Sequence, residues 1–252
     1  MLFDGWVSPL TATPTIFLLA SVAVLFGSTM QGLSGVGLGL VAAPVIILID
    51  PTIGPGPLLV LAMLMSAIML IRQRAGIDRR GLALTLTGRV IGSVAAAYIY
   101  TLLPISAYGL TFGLLILAGV TMTWLGYEIP RTNSRMILAG ITSGVMGTLT
   151  SAGSPAIALI YHKASGETVR STLAAFFFFS SLISLLALMA TGGFSGREAV
   201  ASLSLVPAMA AGFLTSGWLV VRLSLRVVRN LVLGVSALSA LVLIGRSCWE
   251  LV

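Results

Sequence analysis

Charge is scarce in this chain. Of 252 residues only 7 are Asp or Glu and 14 are Lys or Arg, against 58% hydrophobic residues. All seven acids (Asp4, Asp50, Asp78, Glu128, Glu167, Glu198 and Glu250) fall at or beyond the ends of apolar runs. No carboxylate is therefore expected inside a span, which removes the usual ligands for a cation and the usual relay for protons. A single cysteine, Cys248, excludes an internal disulfide framework and a cysteine-built metal site. A single histidine, His162, excludes a histidine cluster. The same shortage argues against an intramembrane enzyme, which would need a nucleophile with its base, or a metal set. No catalytic residue, metal or cofactor is expected.

What the chain does have is apolar length. Mean hydropathy is +1.09, and apolar runs recur near twenty residues, the length that crosses a bilayer as helix. No water-soluble domain could cover such a chain with polar surface. The segment before residue 14 carries Asp4 and no Lys or Arg, so the first run lacks the basic leader of a secretory signal. A net charge of +7 with a pI near 10.5 would suit nucleic acid. Nearly all the basic residues instead stand in short connections between apolar runs, and few stand near aromatic stacking groups, so the expected partners are the lipid bilayer and no nucleic acid.

Apolar runs set against breakers give helices at about 14 to 31, 39 to 49, 57 to 73, 82 to 103 and 105 to 126. A second series follows at about 135 to 149, 154 to 163, 169 to 191, 198 to 221 and 225 to 247. Each series is two segments joined by a glycine-rich break and then three long helices. The fold class is thus all-α integral membrane, with repeats at residues 1–130 and 131–252 forming one membrane domain of about 8 to 10 segments. The segment 39 to 49 would be only about 16 Å long, half the hydrocarbon thickness, which favours a re-entrant tip for at least the second arm of each pair.

Loop charge relates the two series. The connection after the third segment holds Arg72, Arg74, Arg79 and Arg80, and the next, at Pro104, holds none. In the second series the connection at Gly192 to Arg197 holds one arginine, and the next holds Arg222, Arg226 and Arg229. Opposite bias in equivalent loops is the mark of inverted topology. With arginine-rich loops in the cytoplasm, both termini lie outside, as do Arg197 and Arg246. Arg131, Arg135, Lys163 and Arg170 fall inside.

The breaks are GLSGVGLG at 32 to 39 and GVMGTLTSAGSP at 144 to 155. Aligned, Gly32, Gly35 and Gly39 fall on Gly144, Gly147 and Ser151, and Pro44 falls on Pro155 after one gap. Irregular backbone at membrane depth must face protein or a wet cavity, and half-helix amino termini favour an anion. Gly37 and Gly153 add room for backbone to approach a ligand. Gln31, Ser34, Thr148, Thr150, Ser151 and Ser154 add uncharged donors. The competing reading is close helix packing by small residues. Arg89, the single charge well inside a predicted span, either meets an anionic substrate or snorkels to the interface near Arg80. Phe176 to Phe179 read as packing or a lipid face, and Trp124, Trp218 and Trp249 as interfacial anchors. His162 reads as a solvated loop residue.

These stretches, GLSGVGLGLVAAP at 32 to 44, GITSGVMGTLTSAGSPAIALIY at 140 to 161 and the apolar helix opening at Arg170, resemble the TauE/SafE family of sulfite exporters. The resemblance covers essentially the whole chain. It implies a bacterial cytoplasmic-membrane transporter of two related halves that moves sulfite, sulfoacetate or a related sulfur anion. Leu38, and the run from Thr148 to Ser151, replace glycines common in the family. The added hydroxyls imply a pocket that prefers a different oxyanion or an organosulfonate. The expected function is transport of a small anion by alternating access, one half moving against the other around a midplane site. A monovalent anion leaving a negative interior gains about 2.3 kcal/mol per 100 mV, enough to drive export without protons. The alternative is a non-transporting scaffold or assembly subunit, whose breaks would be closed and dry. Homo-oligomerisation is left open.

Overall fold

The computed structural model describes residues 13–50, 53–72, 76–126, 129–161, 166–220 and 222–250. Asp4, Arg74, Glu128, His162 and Lys163 lie outside them. The described residues form ten α-helices and no strands: α1 (Pro14–Ser34), α2 (Leu38–Ile49), α3 (Gly56–Arg72), α4 (Arg79–Leu102), α5 (Ile105–Leu125), α6 (Asn133–Thr150), α7 (Ser154–Ile160), α8 (Gly166–Ala190), α9 (Gly196–Leu219) and α10 (Leu225–Glu250).

Helix boundaries have local causes. Pro14 opens α1 at a position where its missing N–H costs nothing. The Asp78 carboxylate accepts from the Gly81 amide (3.0 Å) and Thr132 caps α6. Ser195 and Glu198 form a reciprocal capping box at α9. Six helices, α1, α4, α5, α8, α9 and α10, are long and apolar enough to cross a membrane by length and composition. Their outer faces carry Leu18, Leu19, Val94, Leu203, Leu214 and Leu238, all exposed, a belt that water would not tolerate and lipid would. Trp124, Trp218 and Trp249 stand exposed near helix ends, and the Arg222 guanidinium lies 3.7 Å over the Trp218 ring. The chain is an all-helical, multi-pass membrane protein.

Packing comes in matched sets. α4 lies on α6 as α9 lies on α1; α4 meets α8 as α9 meets α3; α10 meets α2 as α5 meets α7. The first of these seams is built on glycine. A Cβ at Gly88 or Gly92 would overlap the Ile137 or Ile141 carbonyl, and one at Gly140 the Thr85 carbonyl, so the α4 and α6 backbones touch.

Polar contacts define two poles of the bundle. At one, Arg197 pairs with Asp50 (3.2 Å) and Arg246 donates to the Leu48 carbonyl (2.7 Å). At the other, Arg131 pairs with Asp78, the Asp78 amide donates to Thr172 (3.1 Å), and Arg229 donates to the Thr123 carbonyl (2.6 Å). This second pole also gathers Arg80, Arg222 and Trp218 and is the arginine-rich one. α2 ends at the first pole, at Asp50, and α7 ends at the second, where the Tyr161 hydroxyl donates to Asp78 (3.4 Å).

The two breaks are shorter than the glycine patterns predict. α1 runs through Gly32 to Ser34, and α6 runs through Gly144 and Gly147 to Thr150. Without water to take up freed N–H and C=O groups, helix persists across isolated glycines. Only residues 35–37 and 151–153 are irregular. Gly35 (φ 81°) ends α1 in the left-handed conformation, and Ser151 (φ 60°) ends α6 the same way. Gly35 therefore answers to Ser151, not Gly147, and the predicted alignment is one turn out of register. Pro44 does not close its break: it stands inside α2, where it withholds a donor from the Leu40 carbonyl.

Candidate functional site

The two breaks meet. A Cβ at Gly39, one residue into α2, would overlap the Ser151 carbonyl. α2, with 12 residues, and α7, with 7, would span about 18 and 10 Å at 1.5 Å per residue, so each half-helix stops short of a full crossing. Between them lies a cavity of about 30 Å³, lined by Gln31, Gly37, Gly39, Gly147, Ser151, Gly153 and Ser154, by Arg89, and by groups from α3 and α8. That volume holds a water or two, or the head of a small ion.

Arg89 dominates the site. It is 2% exposed, so the structure rules out snorkelling: its head is tied down in the interior. Nη1 donates to the Ser143 carbonyl and to the Ser143 hydroxyl (3.1 Å), and Nη2 donates to Ser184 Oγ (2.7 Å) and, at 3.5 Å, to the Ser180 carbonyl. Ser184 shares a further hydrogen bond with Thr148 (2.8 Å). Gly147 and Gly153 leave the guanidinium its space, since a Cβ at either would overlap it. Every partner is neutral, and Nε is buried without any partner. Among the described residues no carboxylate pairs with Arg89; the pairs are Asp50 with Arg197 and Asp78 with Arg131. A cation at mid-helix costs about 3 kcal/mol on insertion scales, and among the described residues nothing of opposite charge offsets it.

The remaining donors surround this cation. Gln31 Oε1 accepts from the Leu38 amide (3.2 Å), capping α2 and leaving the Gln31 amide N–H groups as donors. Ser143 Oγ donates to the Gly153 carbonyl (2.7 Å), pinning the second break, and Ser151 Oγ donates to the Pro55 carbonyl (2.9 Å). Ser180 and Ser181 reach the cavity from α8. Chemically the arrangement is one fixed positive charge with hydroxyl and amide donors, which suits an oxyanion. Among the described residues no three His, Cys, Asp or Glu side chains converge to hold a metal.

Half of the predicted site residues assemble here: Gln31, Gly37, Gly39, Arg89, Gly147, Ser151, Gly153 and Ser154. The others do not line the cavity. Gly32 backs onto Ser216, Gly144 onto Gly92 and the Arg89 carbonyl, so packing accounts for both. Gly35 and Thr150 shape the breaks; Thr150 Oγ1 donates to the Met146 carbonyl (2.7 Å) and accepts from the Ala152 amide (3.2 Å). Thr148 acts one step back, through Ser184. Pro44 is buried within α2, and Ser34 and Pro155 line a separate, larger chamber.

Sequence reading missed Ser143, Ser180, Ser181 and Ser184. Their signal is present: Ser180 and Ser184 stand one turn apart in an otherwise apolar helix, and hydroxyls on one face of such a helix need a partner. The phenylalanine run divides as successive helix positions must. Phe176 is buried, Phe179 is exposed, and Phe177, expected only to pack, lines the cavity.

The sequence matches the model of the family described as Sulfite exporter TauE/SafE over residues 19–243. Searches of curated proteins and of solved structures found no match.

Proposed function

The chain belongs to the sulfite exporter TauE/SafE family, and from that premise we propose that it carries a small anion across the bacterial cytoplasmic membrane by alternating access around the Arg89 cavity. The anion is sulfite, an organosulfonate or a related sulfur oxyanion. The observation that carries the reading is the unmatched guanidinium: a buried cation with one N–H unused, facing a cavity between two broken helices. An anion entering there supplies the missing charge and accepts from donors already in place. A cation would meet Arg89 with no carboxylate to offset it, and a scaffold would have no use for a polar cavity at this depth.

In this reading residues 1–130 and 131–252 are inverted repeats, as the matched helix pairs support. The arginine-rich pole faces the cytoplasm and the termini lie outside. The test is flux of labelled sulfite, sulfonates and sulfate into proteoliposomes, with and without an imposed potential, for the wild type and Arg89→Gln. Removing one member of a buried charge contact costs about 2–5 kcal/mol, so Arg89→Gln should lower flux at least about thirtyfold. Wild-type protein that moves none of these anions, or Arg89→Gln protein that moves them normally, refutes the proposal.

A further inference from the structure

We propose that anions reach Arg89 from the arginine-rich pole through a second chamber, with Val36 and Ser154 as the gate and Arg229 as the cation at its mouth. This route rests on the anion-transport reading given above. The chamber measures about 350 Å³ and shares two walls, Val36 and Ser154, with the small Arg89 cavity. From that partition it extends past Leu40 and Leu159 to Thr123, Gly126 and Arg229. Those last residues belong to the arginine-rich pole.

The opposite side is shut. Ser151 is bonded to the Pro55 carbonyl (2.9 Å), the Tyr100 ring covers Gly54, Phe194 covers Gly56, and Asp50 pairs with Arg197. Of these contacts the Ser151 bond stands at the cavity itself, where Ser151 is part of the lining. Toward the chamber only one residue layer intervenes. Val36 lies between Gly35 (φ 81°) and Gly37 (φ 142°), in backbone with no helical hydrogen bonds of its own. Its carbonyl accepts from Ser34 Oγ two residues away (2.6 Å), so the Val36 peptide can turn without breaking a hydrogen bond between helices. At the mouth, Arg229 is exposed and donates to the main-chain carbonyls of Thr123 (2.6 Å) and Trp124 (3.5 Å). No carboxylate pairs with it among the described residues, so its charge remains to attract an anion. The apolar walls at Leu40, Leu159 and Leu233 give a passing anion nothing to bind, which keeps the chamber a passage.

The test is sided labelling with a membrane-impermeant maleimide in oriented vesicles. Native Cys248 is exposed at the far end of α10 and marks the pole opposite the arginine-rich one; Arg80→Cys in a Cys248→Ser background marks the arginine-rich pole. Leu159 lines the chamber and not the Arg89 cavity, and Leu159→Cys, in the same background, should label only from the side that labels Arg80→Cys. Labelling from the Cys248 side, or from neither side, overturns the route. Val36→Trp should cut anion flux at least tenfold while the protein stays monodisperse and labels normally at Arg80→Cys; unchanged flux overturns the gate. Labelling reads access and not flux, so a protein that moves no sulfur anion still labels from the arginine-rich side if the chamber is the route. A transporting protein that labels from the Cys248 side refutes the chamber alone.

Discussion

Gly39 lies against the carbonyl of Ser151, with no room for a methyl group between them. Residues more than a hundred positions apart thus bring the two broken helices into contact, and the cavity exists because they touch. Gly39→Ala forces the breaks apart. Overpacking of this kind costs about 1–3 kcal/mol, and the displaced Ser151 also loses its bond to Pro55. Flux should fall at least tenfold, with a lower melting temperature in detergent; normal flux from Gly39→Ala protein would show that the tips need not meet.

Ser184 holds Arg89 at Nη2 and is itself tied to Thr148. Ser184→Ala removes an acceptor from a buried charge, a loss of about 1.5–3 kcal/mol. Ser184→Thr keeps the hydroxyl. The expectation is a thermal destabilisation and at least tenfold weaker transport for Ser184→Ala, largely restored in Ser184→Thr. Equal defects in both variants would show that packing, not the hydrogen bond, is what Ser184 supplies.

Gly92 and Gly217 offer a matched comparison. A Cβ at Gly92 overlaps the Ile141 carbonyl across the α4–α6 seam, whereas at Gly217 it meets nothing within 4 Å. Gly92→Ala should destabilise the detergent-solubilised protein by about 1–3 kcal/mol. Gly217→Ala should be neutral or slightly stabilising. Thermal unfolding of the two single variants side by side gives the answer, and equal shifts would contradict the seam.

Tyr161 ends the α7 arm at the arginine-rich pole. Burial pushes its phenol up to about 12; the Asp78 charge pushes the same way, and Arg131 opposes. The protonated form is therefore favoured by the fold. Its contribution is complete below the ordinary tyrosine value of 10.0 and is lost as pH rises through about 12. Stability measured across that window should fall more steeply for the wild type than for Tyr161→Phe. Parallel curves would remove Tyr161 from the pole's stability.

The helices were legible because bilayer helices are long, apolar and separated by breakers; each of the ten ends within about a turn of its expected place. The breaks were legible as regions and illegible in extent. Gly144 and Gly147 look like interruptions, yet they are helical, because nothing at that depth hydrates an opened turn. The fate of Arg89 could not be read locally. Whether its head snorkels or stays depends on Ser143 and Ser184, from helices far along the chain, being there to receive it. The proline pattern misled for a similar reason: Pro155 opens α7, but Pro44 sits inside α2.

The glycine seam between α4 and α6 fixes what can move. Backbones in contact cannot slide or tilt past one another without colliding, so the two helices travel as one piece. Arg89 rides on α4, and Gly147 with the Ser151 break rides on α6. α1 and α9 are joined in the same way, with Gly212 on the Leu25 carbonyl and Gly32 on Ser216. Each rigid piece takes one helix from before residue 130 and one from after it. In the proposed transport cycle a body that moves as one therefore draws helices from both proposed repeats, with the guanidinium and the second break carried together.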